Sequence, residues 1–158
     1  MRSLVTTIAA ASLALGVFGV SAAHADVLLA KSRVVAFSVP DGGPVSVPLD
    51  DKNNTVLNFQ TNKKGIIVIT YNVECAAEGN AGDWIGLQIF VDGKPTSPKA
   101  NQDDFAICSA TGGTDIYTAV SRQSYIKVNE GPHSVEVKVS RQGVTSGRLD
   151  DSSIVIMD

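Results

Sequence analysis

Residues 67–75 read Ile67-Val68-Ile69-Thr70-Tyr71-Asn72-Val73-Glu74-Cys75. Ile67, Ile69, Tyr71, Val73 and Cys75 share one phase of a period of two, and Thr70, Asn72 and Glu74 share the other. Side chains alternate across a β-strand, so this pattern predicts a strand with one face in a core and the other largely in water. Working outward, the same alternation returns in Ile85, Leu87, Ile89 and Val91. It returns again in Val135, Val137 and Val139, with Glu136 and Lys138 on the opposite phase. Shorter candidates are Arg33 to Val39, Val45 to Leu49, Thr55 to Phe59, Phe105 to Cys108, Tyr117 to Val128 and Ser152 to Met157. No stretch carries a helical stripe.

Turn chemistry separates these runs. Asp92-Gly93 predicts a hairpin, because glycine supplies the positive φ such turns demand. Asp41-Gly42-Gly43-Pro44, Glu78 to Gly82, Gly112-Gly113 and Glu130-Gly131-Pro132 break the chain at sandwich-like intervals. The fold expectation is all-β: a two-sheet antiparallel β-sandwich, with jelly-roll connections favoured over immunoglobulin-like ones. Lys94 to Asp104 and Arg141 to Asp151 are expected as its long loops.

The N-terminus has a different grammar. Arg2 is followed by an uncharged apolar run from Leu4 to Val20, then by small residues at Ala23 and Ala25 ahead of the first acid, Asp26. One positive charge, a short apolar segment and an A-x-A end predict a signal peptide over residues 1–25, cleaved after Ala25, with a single domain from 26 to 158. The run is short for a membrane span and lacks a basic flank. A secreted or periplasmic address follows, with no membrane span after processing.

Of the 13 basic side chains only Arg2 lies in that leader, so the exported part sets 12 bases against 16 acids. Lys63-Lys64 is its nearest approach to a basic patch, which argues against nucleic acid as a partner. The two cysteines, Cys75 and Cys108, both lie in the exported part. In an oxidising compartment an even pair reads as a disulfide. Two thiols and one remaining histidine do not make a zinc or copper site.

Five segments taken together, ITYNVEC (69–75), IFVDGKPTSP (89–98), FAICSA (105–110), GPHSVEVKV (131–139) and LDDSSIVI (149–156), resemble a group of secreted bacterial β-sandwich, jelly-roll-like domains of uncharacterised function. That resemblance implies a fold and a compartment and carries no catalytic residue.

The residues themselves weigh the remaining chemistries. His133 stands at a Gly-Pro turn with no nucleophile motif in the chain, so a structural role is expected for it. A carboxylate-dependent hydrolase needs two acids facing one bond. Glu74 and Glu136 alternate onto the polar sides of their strands, and no spacing singles out a pair, so this reading ranks last. Adjacent acids at Asp50-Asp51, Asp103-Asp104 and Asp150-Asp151 suit a structural calcium, with Asp103 and Asp104 the candidate ligands, although none has EF-hand spacing. No other cofactor is expected.

Trp84 is the one tryptophan, and it alternates onto the face of Gly86, Gln88 and Phe90, opposite the core series. A flat aromatic beside an amide and a glycine is the chemistry of a sugar-stacking surface. The leading expectation is therefore a non-enzymatic binding module for a glycan or cell-surface ligand, through Trp84, Gln88 and Phe90. The alternative is a structural subunit of a homo-oligomeric assembly. It rests on Ile66, Val68, Val155 and Met157, which put apolar groups on the phase that faces water in an isolated sandwich.

Overall fold

In the computed structural model, which describes residues 25–99, 106–112 and 116–158, eleven strands form two antiparallel sheets. They are β1 (Val27–Arg33), β2 (Phe37–Ser38), β3 (Val45–Ser46), β4 (Val56–Thr61), β5 (Gly65–Glu78), β6 (Trp84–Val91), β7 (Lys94–Pro95), β8 (Ala106–Ser109), β9 (Thr118–Val128), β10 (Gly131–Gln142) and β11 (Ser146–Met157). The five-stranded sheet runs β1-β11-β5-β9, with β2 continuing the β1 edge along β11. The six-stranded sheet runs β3-β10-β6-β7, with β4 sharing the β3 edge and β8 the β7 edge.

Counting each broken edge once, the chain visits eight positions. The first pairs with the last (β1 and β2 with β11), the second with the seventh (β3 and β4 with β10), the third with the sixth (β5 with β9) and the fourth with the fifth (β6 with β7 and β8). That is one long hairpin rolled up on itself, which is jelly-roll connectivity.

The alternation explains which side of each strand goes inward. Ile67, Ile69, Tyr71 and Val73 from β5 and Ile154 and Ile156 from β11 meet Ile85, Leu87, Ile89 and Val91 from β6 and Val135, Val137 and Val139 from β10, all essentially without solvent contact. Among the described residues the buried hydrophobic side chains run from Val39 to Ile156. Each such aliphatic side chain, fully buried, contributes about 1.5–3 kcal/mol. Arg33 is the charged side chain buried here. Next to it, burial pushes the Tyr71 hydroxyl up to about 12 against the pull of Ser152 and of the Arg33 charge.

Cys75 and Cys108 are joined, Cα to Cα 6.1 Å, and the bond ties β5 of one sheet to β8 of the other. Cys75 is buried and Cys108 half-buried, so the predicted disulfide is a staple between layers.

Of the two expected long loops, Lys94 to Asp104 lies partly outside the described residues, and the other is absent. Residues 141–151 are not a loop, since β10 runs on to Gln142 and β11 starts at Ser146, with Gly143 at φ +82° in the tight turn between them. The register of β11 against β5 slips between Asp150 and Ser153, where Asp151 has φ +36°. This bulge breaks the alternation by which the strand would have been seen. Lys94 and Pro95 pair back onto β6, and Ser97 bridges to Tyr125 of β9. An early strand predicted from Arg33 to Val39 is instead β1, ending at Arg33, followed by the two-residue β2.

Candidate binding face

Trp84 opens β6 from a turn that Asp83 holds together. The Asp83 amide donates to the Asn80 carbonyl, its Oδ2 accepts from the Asn80 amide at 2.7 Å, and its carbonyl accepts from the Ala110 amide at 2.8 Å. The carboxylate lies so close to the β10–β11 turn that a Cβ on Gly143 would come within 2.2 Å of its Oδ1. A Cβ on Gly79 would likewise come within 2.9 Å of its Oδ2. Three loops therefore interlock directly beneath the start of the tryptophan strand.

Trp84, Gly86, Gln88 and Phe90 follow at alternate positions on the outer side of the six-stranded sheet. Opposite them in register stand Gln142, Ser140, Lys138 and Glu136 of β10. Trp84 and Phe90 are half-buried and, six residues apart along a strand, are separated by about 20 Å. The indole Nε1 is buried and has no hydrogen-bond partner among the described residues. At the other end the Lys138 ammonium sits 5.1 Å from the centre of the Phe90 ring and 3.3 Å from Glu136 Oε2, while the Ser46 hydroxyl donates to Glu136 Oε1. The result is a strip with an aromatic at each end and amide, hydroxyl, ammonium and carboxylate groups alongside.

Sequence reasoning found the β6 half of this strip and the outward phase of Glu136 and Lys138, but missed Ser140 and Gln142. Gln142 falls in residues read as loop, Ser140 lies just before them, and register across strands leaves no trace in a single sequence. Gln88 differs from its expected role. Its Nε2 donates to the Ile89 carbonyl at 2.9 Å and lies 3.3 Å from the Thr96 carbonyl, so the amide nitrogen serves the β6–β7 hairpin.

The other candidates are placed as follows. Asp103 and Asp104, the proposed calcium ligands, lie outside the described residues, as does Ala23. Asp50 accepts at Oδ1 from the amides of Lys52 and Asn54 and at Oδ2 from the Asn54 side chain, which lowers its pKa, with the Asn54 side chain as the main cause. Asp51 Oδ1 accepts from the Val34 amide. Their oxygens serve turns, and among the described residues no three His, Cys, Asp or Glu side chains come together as metal ligands.

Glu74 and Glu136 occupy the outer faces of different sheets, so the sandwich separates them and they do not flank a common bond. His133 is held on both nitrogens: Nδ1 lies 2.7 Å from Asp92 Oδ2 and Nε2 lies 2.9 Å from the Asn129 carbonyl, with Phe59 against the ring. Partial burial opposes the imidazolium, but the Asp92 hydrogen bond, the Asn129 carbonyl and the Asp92 charge outweigh it and raise the histidine's pKa. Asp92 is lowered in turn: burial is again overcome, here by His133 and by the amide and hydroxyl of Ser134. His133 thus clamps a turn, as expected of it.

At the β1 edge of the other sheet, a cleft of about 650 Å³ has Ala30, Ser32, Ser153 and Val155 for its floor and the Asp50–Asn54 turn for its wall. Among the described residues no helix is long and apolar enough to cross a membrane.

No protein-family model and no curated protein sequence matches this chain. Solved structures similar to it include a carbohydrate-binding module of Cellvibrio mixtus lichenase 5A in complex with cellotriose, at 16% identity and TM-score 0.42, covering 82% of this chain and 97% of that one. A structure of infectious bursal disease virus, Gx strain, is similar at 12% identity and TM-score 0.42 over 84% of this chain and 32% of that one. The EclA C-terminal domain, a sugar-binding protein, follows at 11% identity and TM-score 0.34, with 80% and 77% covered. These likenesses carry no site residue across.

Proposed function

We propose that this chain is an exported, non-catalytic β-sandwich module that takes a carbohydrate on the outer face of its six-stranded sheet, with Trp84 as the stacking platform. The observation that supports this reading is the in-register strip itself. Trp84 shares its outward phase with Gly86, Gln88 and Phe90, and a row of hydrogen-bonding side chains on β10 lies one strand away. A pyranose presents an apolar face that packs on an indole and equatorial hydroxyls that seek such partners. Phe90, under Lys138, marks the far end of the strip. The signal-like residues 1–25 and the Cys75–Cys108 bond both suit an oxidising compartment outside the cytoplasm.

The test is retention of the purified chain from Asp26 onward on a panel of insoluble polysaccharides and cell-wall preparations, beside Trp84→Ala. Retention by the native chain, reduced at least tenfold in a variant with an unchanged circular dichroism spectrum, is the expected result. Equal retention by both forms removes Trp84 from the site, and no retention by either on any member of the panel removes the carbohydrate.

A further inference from the structure

The outer face of the five-stranded sheet has a different chemistry. Val27 of β1, Met157 of β11, Val68 of β5 and Tyr125 of β9 stand directly opposite one another, an apolar row across four strands. Ile66 and Val155 extend the row on either side. Ile66 is 59% exposed, Tyr125 52% and Val27 62%. Beyond the row lie Thr70, Gln123, Asn72, Ser121 and Ser153, so the apolar part is bordered by polar groups. The first strong strand of the sequence is also apolar on both phases here, from Ile66 to Ile69, which is how a strand covered on both faces reads. An apolar centre with a polar border is the anatomy of a protein interface.

We propose that this face packs against the same face of a second copy of the chain. Three features favour a copy over another occupant. The first is size: four strands spaced about 4.8 Å apart and residues 66–74 at about 3.3 Å each give on the order of 500 Å² per copy in projection. Two such faces bury about 1,000 Å², the threshold of a specific protein interface. The second is shape. A two-fold axis parallel to the strands, between β11 and β5, lays the bulky Tyr125 over the smaller Val27 and Met157 over Val68, so large meets small in an isologous contact. The third is charge: the same operation carries Lys127, next to Ile66 on β9, toward Asp26 at the start of β1. This assembly leaves the Trp84 strip open on the far side of each copy and does not depend on what that strip binds.

Sedimentation of the chain from Asp26 onward tests it, over a concentration series reaching hundreds of micromolar, beside Ile66→Lys, Tyr125→Lys and the double substitution. Both positions are more than half exposed, so the variants should keep their circular dichroism spectrum. If the double variant does not fold, Ile66→Lys alone carries the test. The expected result is a mass close to twice the monomer for the native chain at tens of micromolar, and dimerisation about 100-fold weaker in the double variant. A native chain that stays monomeric throughout overturns the proposal, as does a dimer that the substitutions leave intact.

Discussion

The two outer faces of this sandwich are built from strands with the same alternation, yet they differ in the phase that faces away from the core. On the six-stranded sheet that phase holds two separated aromatics and hydrogen-bonding or paired charged groups, with Lys138 satisfied by Phe90 and Glu136. On the five-stranded sheet it holds aliphatic side chains and a tyrosine aligned into one row. Isolated aromatics among polar groups suit a polar ligand with flat faces, while a continuous apolar row suits a surface of like kind. Which residues become neighbours is decided by register, so the contrast is a property of the fold that composition alone does not show.

The largest expected effect comes from cutting the tie that holds the faces back to back. Closing a loop across 33 residues with the Cys75–Cys108 bond stabilises the fold by about 3.5 to 4 kcal/mol on the chain-entropy model. Replacing both cysteines with alanine should lower the denaturant midpoint accordingly and raise the m-value, because the unfolded chain without its cross-link exposes more surface, and both faces should weaken together. An unchanged midpoint would mean that the core alone sets the spacing of the sheets.

Next in size are crossed substitutions that separate the faces. Truncating a central aromatic in a contact typically costs about 2 kcal/mol or more, roughly 30-fold in affinity. Trp84→Ala should therefore abolish polysaccharide retention and leave the sedimentation behaviour unchanged, and Ile66→Lys with Tyr125→Lys should do the reverse. If either variant alters both readouts, the two faces are not independent and the comparison between them fails.

Much of this was legible in advance, and what was not has physical causes. Residues 67–75, 85–91 and 135–139 announce their strands because one face is buried and the other is wet, the condition under which alternation appears. Cys75 and Cys108 announce their bond because an even pair of cysteines behind a signal-like N-terminus reads as a disulfide. Val27 to Ala30 were passed over because an edge strand with apolar groups on both sides has no period, and the start of β11 because its bulge at Asp151 shifts the phase. At the candidate binding face, Trp84 and Phe90 were visible from β6 alone, whereas Ser140 and Gln142 needed the pairing. The side-chain bonds of Gln88 within the β6–β7 hairpin needed coordinates.

A smaller effect reaches the Trp84 strip indirectly. Gly143 has φ +82° and no room for a Cβ beside Asp83. Gly143→Ala should cost about 1–3 kcal/mol through strain and crowding, loosen the turn that positions Trp84, and weaken polysaccharide binding while dimerisation stays as it was. Equal binding by this variant would show that Asp83 does not position the tryptophan.

The smallest expected effect touches neither face directly, since the Asp92–His133 clamp lies at an end of the six-stranded sheet. His133 has its pKa raised above the ordinary 6.5, so its contribution is fully present below that value and is lost as pH rises through the folded one. Asp92 is lowered from 3.8, so its contribution is present above that value and is lost as pH falls through the folded one. The clamp is therefore complete between about pH 4 and pH 6.5 and weakens on either side. Asp92 is nearly half exposed, and solvent screening holds such a pair to about 1 kcal/mol or less. Thermal melts of the native chain and His133→Asn across this range should differ most near pH 5 to 6 and converge toward pH 9, because the native imidazole then no longer carries the charge that the asparagine lacks. A difference that does not change with pH would assign the stabilisation to the packing of the ring on Phe59.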